Sequence, residues 1–270
     1  MTSFPQRALR QVHYRLRTRI QNLLAKVNER PVFVIGNQKS GTSAIVSLLA
    51  AAAGKSATND IFTWYSGVES DVINGRIDFL EFVEQARHHF SRDFVKDPSF
   101  TFMLPALRAR FPDARYVFVV RDPRLNIRGI LNRVDVPGTV TDLDTAMTER
   151  IRRERRGWLP VLEGQGLINE RSLVSRLAHR SRIAMEIAAS ESGQWPVVRY
   201  EDFITDKTGT IAATLHAIGE TVANDIAADA DRPFQPPSRD RSEPKAFFSS
   251  ENLADIETIC RPMMEVFSYK

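Results

Sequence analysis

Short apolar runs alternate along this chain with longer segments in which apolar and polar residues recur at helical spacing. The clearest runs are Val32–Ile35, Arg115–Val120 and Pro196–Arg199. Each is short and rich in β-branched or aromatic residues, which is typical of strands that are buried on both faces. The segments between the runs are long enough to form helices that cross from one strand to the next. The order therefore predicts an α/β fold, with a parallel sheet flanked by helices in a single domain.

Helical spacing accounts for most of the chain outside these runs. We expect helices at Ile77–Asp93, Thr101–Phe111, Arg124–Val134, Asp142–Val161, Asn169–Ser190, Lys207–Ile218 and Glu251–Phe267, and a short strand at Phe94–Lys96. The segment Thr221–Lys245 is rich in Pro, Asp and Arg, which predicts irregular structure there.

The first thirty residues have a pattern of their own. Apolar residues recur at helical spacing from Leu9 to Val27, and the segment carries seven Lys or Arg against one acid, Glu29. This pattern predicts a basic amphipathic helix over 1–30, followed by a domain over 31–270 with its core in 31–219 and a C-terminal loop and helix in 220–270. Such a helix can pack on the domain or make peripheral contact with the inner face of an anionic membrane. We favour packing on the domain.

Composition narrows the class of protein. A chain of 270 residues with 43% apolar residues suits one hydrophobic core near its upper size. No apolar run is long enough for a membrane span, and the first residues lack the apolar core of a signal peptide. Cys260 is the only cysteine, which excludes an intramolecular disulfide and favours the cytoplasm. The basic run Arg150–Arg156 lacks interleaved aromatic residues, so we expect a solvated helix face and no nucleic-acid partner.

A glycine-bounded loop follows the first strand. Gly36 and Gly41 have the G-x-x-x-x-G spacing of a phosphate-binding P-loop, and a helix is expected to begin directly after it. Backbone amides at the start of that helix, helped by its dipole, would point at an anion. Nucleotide kinases place their lysine directly after the second glycine, where this chain has Thr42. Lys39 lies inside the loop instead, so its ammonium would reach a different oxygen of a bound nucleotide.

The segment Gln38–Ser43 resembles the 5′-phosphosulfate loop of sulfotransferases that use 3′-phosphoadenosine 5′-phosphosulfate (PAPS). The next residues, Ala44 and Ile45, are similar to the carbohydrate branch of that family, and the later segments Lys96–Pro98 and Pro112–Ala114 resemble its bacterial members. Arg121, at the end of the second apolar run, begins a segment that resembles the family's 3′-phosphate motif. The motif's serine is replaced by Gly129, which removes one hydroxyl donor.

A third segment, Val197–Phe203, resembles a late structural motif of the same family. The family's basic segment near the C-terminus closes over the nucleotide, and here we expect this of the loop with Arg239, Arg241 and Lys245.

The resemblance implies a function. The enzyme would move the sulfuryl group of PAPS to a hydroxyl acceptor by in-line transfer, without a metal. Lys39 would stabilise the leaving group, and Lys96 would contact the sulfuryl or 5′-phosphate oxygens. The residues implied in donor binding are Gln38, Lys39, Ser40, Gly41, Thr42, Ser43, Arg121 and Gly129.

The acceptor hydroxyl also needs a general base. Small-molecule sulfotransferases use a histidine two residues after the second lysine, but this chain has Pro98 there. Glycosaminoglycan-type relatives use a carboxylate beyond the first helix, a place that Asp60 occupies. We therefore expect Asp60 to be the base, with Asp97 and Glu69 in reserve. The acceptor would be a carbohydrate or glycolipid, with a small metabolite as the other option.

Two other functions stay open on sequence alone. A P-loop kinase would bind Mg-ATP and use Asp122 to hold the metal ion. A catalytically degraded nucleotide-binding scaffold protein would explain the departure from the motif at Gly129.

Overall fold

The computed structural model describes residues 20–65, 67–166, 168, 170, 172–235 and 239–270. Its sheet has five strands in the order β2-β3-β1-β4-β5, and the strand pairs are parallel. The strands are β1 (Val32–Gly36), β2 (Ala57–Asn59), β3 (Phe94–Lys96), β4 (Arg115–Val120) and β5 (Val197–Arg199). The predicted α/β fold is confirmed. Most of the predicted N-terminal helix, residues 1–19, lies outside the described residues.

Helices cover both faces of the sheet. They are α1 (Thr42–Ala53), α2 (Glu69–Ile73), α3 (Phe79–Gln85), α4 (Arg87–Phe90), α5 (Leu104–Arg110), α6 (Pro123–Val134), α7 (Thr145–Arg155), α8 (Leu159–Leu162), α9 (Leu173–Glu191), α10 (Tyr200–Thr205), α11 (Lys207–Ala217), α12 (Pro244–Phe247) and α13 (Ser250–Val266). Short 3₁₀ segments lie at Ile61–Thr63, Pro98–Met103, Arg156–Trp158 and Gly164–Gly166.

Alternation along the strands builds a core on each side of the sheet. Phe33 and Ile35 of β1 join one buried cluster, while Val32 and Val34 join the other, as the two-residue period of a strand requires. The first cluster is closed by apolar residues of α6, α9 and α13, and the second by those of α1 and α11. Every residue of β1 is buried, which explains its continuous apolar run.

Several predicted helices are shorter or broken in the structure. The stretch predicted as Ile77–Asp93 splits into α3 and α4 at Ala86, whose φ of −117° and ψ of 20° leave the helical region. The stretch predicted as Asp142–Val161 ends as α7 at Arg155 and resumes as α8, in which a proline occupies the first turn. A proline fits the start of a helix and not its interior, because it has no amide hydrogen.

The sheet places four strand ends at one edge. β1 ends at Gly36, β2 at Asn59, β3 at Lys96 and β4 at Val120. In parallel α/β sheets, ligands bind outside the carboxyl ends of the strands. The residues that follow these four strands therefore form the candidate functional site.

Candidate functional site

The loop between β1 and α1 is held in an unusual backbone conformation. Lys39 has a φ of 66° and Gly41 a φ of 100°, both in the left-handed region. A Cβ atom at Gly41 would lie 2.2 Å from the Tyr200 ring, so the glycine is required by its backbone angle and by its neighbour. Ser40 donates its hydroxyl to the Asn37 carbonyl at 2.7 Å, which closes the turn from within.

Helix α6 holds the loop from one side. Asn126 donates to the Gln38 carbonyl at 2.8 Å and accepts from the Asn37 side chain at 2.9 Å. Arg121, at the end of β4, donates to the Lys39 carbonyl at 2.8 Å, and its guanidinium lies 4.5 Å from the centre of the Tyr200 ring. These contacts hold the loop backbone in place directly before the start of α1.

Gly129 has a structural reason to be a glycine. A Cβ atom there would lie 3.3 Å from Lys39 Cβ and 3.8 Å from Arg121 Nη1. A serine would crowd the base of the Lys39 side chain. The departure from the motif therefore leaves Lys39 a few tenths of an ångström more space, whereas Arg121 would be in ordinary contact with a Cβ atom there.

A ring of polar side chains, which we call the buried ring, lies in the protein interior next to the loop. Its members are Gln38, Glu69, Ser99, Gln165 and Arg180. Arg180 is completely buried and donates to Gln38 Oε1 at 2.7 and 3.1 Å, and also to Gln165 Oε1. Gln165 donates to Glu69 at 2.5 Å, Ser99 donates to the same Glu69 oxygen, and Gln38 donates to Ser99 at 3.1 Å. Each side chain thus holds the next, and the ring ties the loop to α2 and α9.

A second set of side chains, which we call the mouth, reaches the surface at Asp60 and Gln235, while Lys96 at its inner end is only 2% exposed. It comprises Lys39, Ser43, Asp60, Lys96 and Gln235, joined in one hydrogen-bonded chain. Lys39 Nζ donates to Gln235 Oε1 at 2.6 Å, and Gln235 Nε2 donates to Ser43 Oγ at 3.1 Å. Lys96 Nζ donates to Ser43 Oγ at 2.8 Å and to Asp60 Oδ1 at 2.6 Å. Two ammonium groups therefore converge on the first turn of α1.

Burial and neighbouring charges shift the pKa of Lys39 and the pKa of Asp97. Burial, with Arg133, Arg121 and Lys96 nearby, lowers the pKa of Lys39 to about 8. Burial, with Glu69 and Asp60 nearby, raises the pKa of Asp97 to about 7. Lys39 thus sits in a concentration of positive charge that an anionic ligand would relieve.

The three candidate bases occupy different surroundings. The Asp60 side chain is 45% exposed, with one oxygen held by Lys96. Asp97 is buried and accepts hydrogen bonds from the Phe62 and Ser99 amides, one on each oxygen. Glu69 is a member of the buried ring. Asp60 is the candidate that combines an exposed oxygen with a place in the mouth.

The C-terminal segment crosses the same edge of the sheet. Arg128 of α6 donates to the Ser242 carbonyl, and Asn132 exchanges hydrogen bonds with the backbone of Asp240 at 2.9 and 3.1 Å. Together with the contact of Gln235 to Lys39, these bonds bring the residues on both sides of 236–238 against the loop and α6.

Sequence reasoning did not single out several residues that the fold brings here. They are Asn126, Arg128, Arg133, Gln165, Arg180 and Gln235. Arg128 and Arg133 lie on the helix that was predicted after Arg121. The spacing of arginines along this helix, α6, was therefore an available signal. Arg180 and Gln165 gave none, because both lie more than a hundred residues from the loop in sequence.

Membrane-spanning helices and metal-binding clusters are absent from the described ranges. No helix there is both long and apolar enough to span a bilayer. Nor does any group of three His, Cys, Asp or Glu side chains in those ranges come close enough together to hold a metal ion.

Comparison with known proteins identifies relatives of this chain. The profile of the sulfotransferase family matches residues 67–224, which include Lys96, Arg121 and β5 and begin after the loop. A search of curated proteins gave no significant match. Among solved structures, sulfotransferase STF9 from Mycobacterium avium is 14% identical, with a TM-score of 0.55 over 96% of this chain and 82% of that one. Sulfotransferase STF1 from Mycobacterium tuberculosis H37Rv is 17% identical, with a TM-score of 0.49 over 96% of this chain and 81% of that one.

Proposed function

Because the chain belongs to the sulfotransferase family of enzymes, we propose that it moves the sulfuryl group of PAPS to the hydroxyl of a carbohydrate or glycolipid acceptor. The observation that carries the proposal is the mouth, where Lys39 and Lys96 converge through Ser43 on the first turn of a helix. PAPS supplies a sulfuryl group that is activated by its bond to the 5′-phosphate. The protein supplies charge and position, as in phosphoryl transfer.

The loop suits the 5′ end of this donor. The amides of Gly41, Thr42 and Ser43 lie at the start of α1, where the helix dipole favours an anion. Lys39 and Lys96 add two positive charges beside them. In this proposal the Gln235 amide occupies the position from which donor oxygens would accept a hydrogen bond from Lys39. The amide must therefore move away when the donor binds.

The 3′-phosphate would be held by two arginines of the β4–α6 region. Arg121 keeps its Nε without a hydrogen-bond partner, and burial lowers the pKa of its guanidinium. Arg128 adds a second positive charge close enough to lower the pKa of Arg121 further. A phosphate between them would relieve both effects. Arg128 would then replace the hydroxyl that Gly129 lacks.

Lys39 would stabilise the oxygen that gains negative charge as the adenosine bisphosphate leaves. Such a donor matters most in the transition state, where the charge develops. Asp60 would accept the proton of the acceptor hydroxyl, because its carboxylate is exposed and Lys96 fixes its position at 2.6 Å. Lys96 would thus orient the base while its charge faces the sulfuryl group.

The proposal extends to the acceptor branch and to location. A carboxylate base with Pro98 two residues after Lys96 favours a carbohydrate-type acceptor over a phenol. We place the enzyme in the cytoplasm of a bacterium, with its one cysteine buried as a free thiol. We expect the basic segment 1–30 to pack on the domain; the other possibility is peripheral contact with the membrane, for which Leu23 and Leu24, 82% and 83% exposed, would be available. Residues 31–270 would form the catalytic domain.

A kinase is not favoured by the structure. Asp122, the residue that would hold magnesium, accepts hydrogen bonds from the Arg124 amide at 2.8 Å and from its guanidinium at 2.7 Å. This carboxylate caps α6 and is committed to that arginine. The hypothesis of a catalytically degraded scaffold protein was based on the missing serine at Gly129. It is not favoured either, because Gly129 lies against the Lys39 side chain and leaves it more space.

Nucleotide affinities test the donor assignment. Calorimetry with adenosine 3′,5′-bisphosphate (PAP), AMP and Mg-ATP should rank PAP first. The Arg128→Gln variant should weaken PAP by about tenfold or more while changing AMP little, because only PAP has a 3′-phosphate. Arg121→Gln should weaken both nucleotides, because Arg121 also holds the Lys39 carbonyl of the loop. Preference for Mg-ATP over PAP would refute the proposal. Transfer of labelled sulfate from PAPS to a panel of glycosides then tests the reaction.

A further inference from the structure

One face of α6 follows the Lys39 side chain and then reaches an arginine. The Cβ position at Gly129 lies 3.3 Å from Lys39 Cβ and 3.8 Å from Lys39 Cε, so the lysine runs along this face of the helix. Residues four apart share a helix face. Arg133 therefore lies one turn beyond Gly129, near the end of α6, and Arg133 is exposed.

The charges of the region place the Arg133 guanidinium beside the mouth. Among neighbouring charges, Arg133 has the largest effect on Lys39, ahead of Arg121 and Lys96. The pKa of Arg133 itself is lowered, first by burial and then by Arg155 at the end of α7, while Asp60 raises it. Arg133 thus lies within electrostatic reach of the proposed base and of a second arginine.

The acids of this area already have other partners. Asp60 is paired with Lys96 at 2.6 Å, and Asp135 with Arg239 at 2.9 Å and Arg150 at 3.7 Å. On α7, Glu154 is paired with Arg153, and Glu149 with Arg152. Within the described ranges, Arg133 and Arg155 form no ion pair with an acid.

The charge balance leaves these two arginines for a second ligand. In the proposed function, Lys39 and Lys96 face the phosphate and the sulfate at the 5′ end of PAPS. Arg121 and Arg128 face the 3′-phosphate. Arg133 and Arg155 have no assigned contact with the donor, and Asp60, which the acceptor hydroxyl must reach in the proposed function, acts on Arg133 through its charge.

We propose that Arg133 and Arg155 bind a negative charge on the acceptor. The substrate class is then a hydroxyl compound that carries a carboxylate or a phosphate group close to the hydroxyl that receives the sulfuryl group. This inference rests on the proposed function and narrows it. Arg133 is the residue that sets the preference, since it lies one turn beyond Gly129 on the face of α6 that follows Lys39, and it is exposed.

Matched acceptors test the preference for charge. Methyl β-D-glucuronide, methyl β-D-glucoside 6-phosphate and methyl β-D-glucoside differ at one position, and labelled-sulfate transfer gives kcat/KM for each. The wild type should favour the two charged glycosides, and the better of the two identifies the group. The Arg133→Gln variant should lose about 10- to 100-fold on the charged glycosides and about twofold or less on the neutral one, as expected for a hydrogen-bonded charge pair.

Controls separate the acceptor from the donor. Arg133→Gln should change the Kd for PAP by a few-fold at most, because Arg133 acts on Lys39 through its charge and is not assigned a direct contact with the donor. Arg133→Lys should recover more activity on the phosphate than on the carboxylate, since lysine keeps the charge but not the bidentate geometry. Arg155→Gln should act in the same direction as Arg133→Gln, whereas Arg152→Gln, which removes an exposed arginine of α7 paired with Glu149, should match the wild type.

Three results would overturn the inference. They are equal use of charged and neutral glycosides by the wild type, an equal loss on all three in Arg133→Gln, and a loss of PAP affinity in that variant as large as its loss on the charged glycosides. If no glycoside is sulfated, NMR of the PAP complex decides by comparing how tightly the glucuronide and the glucoside bind, and equal binding overturns it. Failure of the wild type to bind PAP would instead refute the proposed function.

Discussion

Gln38 and Lys39 are neighbours in one loop, yet their side chains enter opposite kinds of surroundings. Gln38 is part of the buried ring, where each polar group has a hydrogen-bond partner and Arg180 has no exposed surface. Lys39 belongs to the mouth, where Asp60 is partly exposed and the Gln235 side chain accepts the hydrogen bond that Lys39 would give to the donor. The ring holds the loop in shape before any ligand arrives, and the mouth keeps charge available for chemistry. The two sets should therefore respond differently to mutation: the mouth in turnover, the ring in stability and nucleotide affinity.

Lys39→Ala should have the largest effect on turnover. Removing a preorganised donor to the leaving group costs about 10²- to 10³-fold in kcat. The variant should keep the fold, because the side chain is bonded to Gln235 and not to the ring. Labelled-sulfate transfer and a thermal melt measure the two properties. Wild-type turnover in this variant would remove Lys39 from the mechanism.

The pH profile offers an independent check on the same side chain. The pKa of Lys39 is lowered to about 8, so the ammonium form is lost as the pH rises through that value. The kcat/KM for PAPS, which reports the free enzyme, should fall above about pH 8. Lys39→Arg stays charged and should not show this fall at the same pH. A flat wild-type profile up to pH 10 would contradict the assignment.

Asp60→Asn should reduce kcat by about 100-fold or more if the carboxylate takes the acceptor proton. PAP affinity should change little, since Asp60 contacts Lys96 and not the loop amides. Asp97→Asn is the matched comparison, because Asp97 is buried and both of its oxygens accept backbone amides. That variant should lose stability instead of turnover. The opposite pattern would move the base from the mouth to the interior.

Arg180→Met tests the ring side of the comparison. It leaves Gln38 and Gln165 without their donor and removes a positive charge near Glu69 and Asp97. Breaking a buried charged network from one side costs about 3 kcal/mol of the free energy of unfolding. Urea unfolding measures that loss. In the folded variant, PAP should bind about tenfold more weakly, because the loop is no longer held through Gln38.

The control for Arg180→Met is a change at Arg182, two residues away on α9. Arg182 is partly exposed and pairs with Glu186 at 3.3 Å, so Arg182→Gln should be close to neutral in both measurements. If Arg180→Met unfolds more easily yet binds PAP as the wild type does, the ring stabilises the fold without shaping the loop.

The sequence predicted the parts of the site that are local and left out those that the fold assembles. Glycine spacing around Lys39 and the strand before Arg121 are visible within about ten residues, and both lie at the sheet edge as expected. Arg180 sits on a helix whose pattern looks like ordinary packing, and only the folded chain shows that it reaches Gln38. Gln235 lies in a segment without periodicity, so nothing in the pattern placed it at Lys39. The helices predicted too long failed where backbone angles change without a glycine, as at Ala86.

Gln235→Ala should have the smallest effect, and its direction is informative. Gln235 bridges Lys39 and Ser43 at 2.6 and 3.1 Å, the groups that the donor would contact. Donor binding must break both bonds, and a hydrogen bond exchanged with water contributes about 1 kcal/mol. PAP should therefore bind a few-fold more tightly to Gln235→Ala, with kcat nearly unchanged. Weaker binding would mean that Gln235 contacts the donor after it enters, and the C-terminal segment would then belong to the bound site.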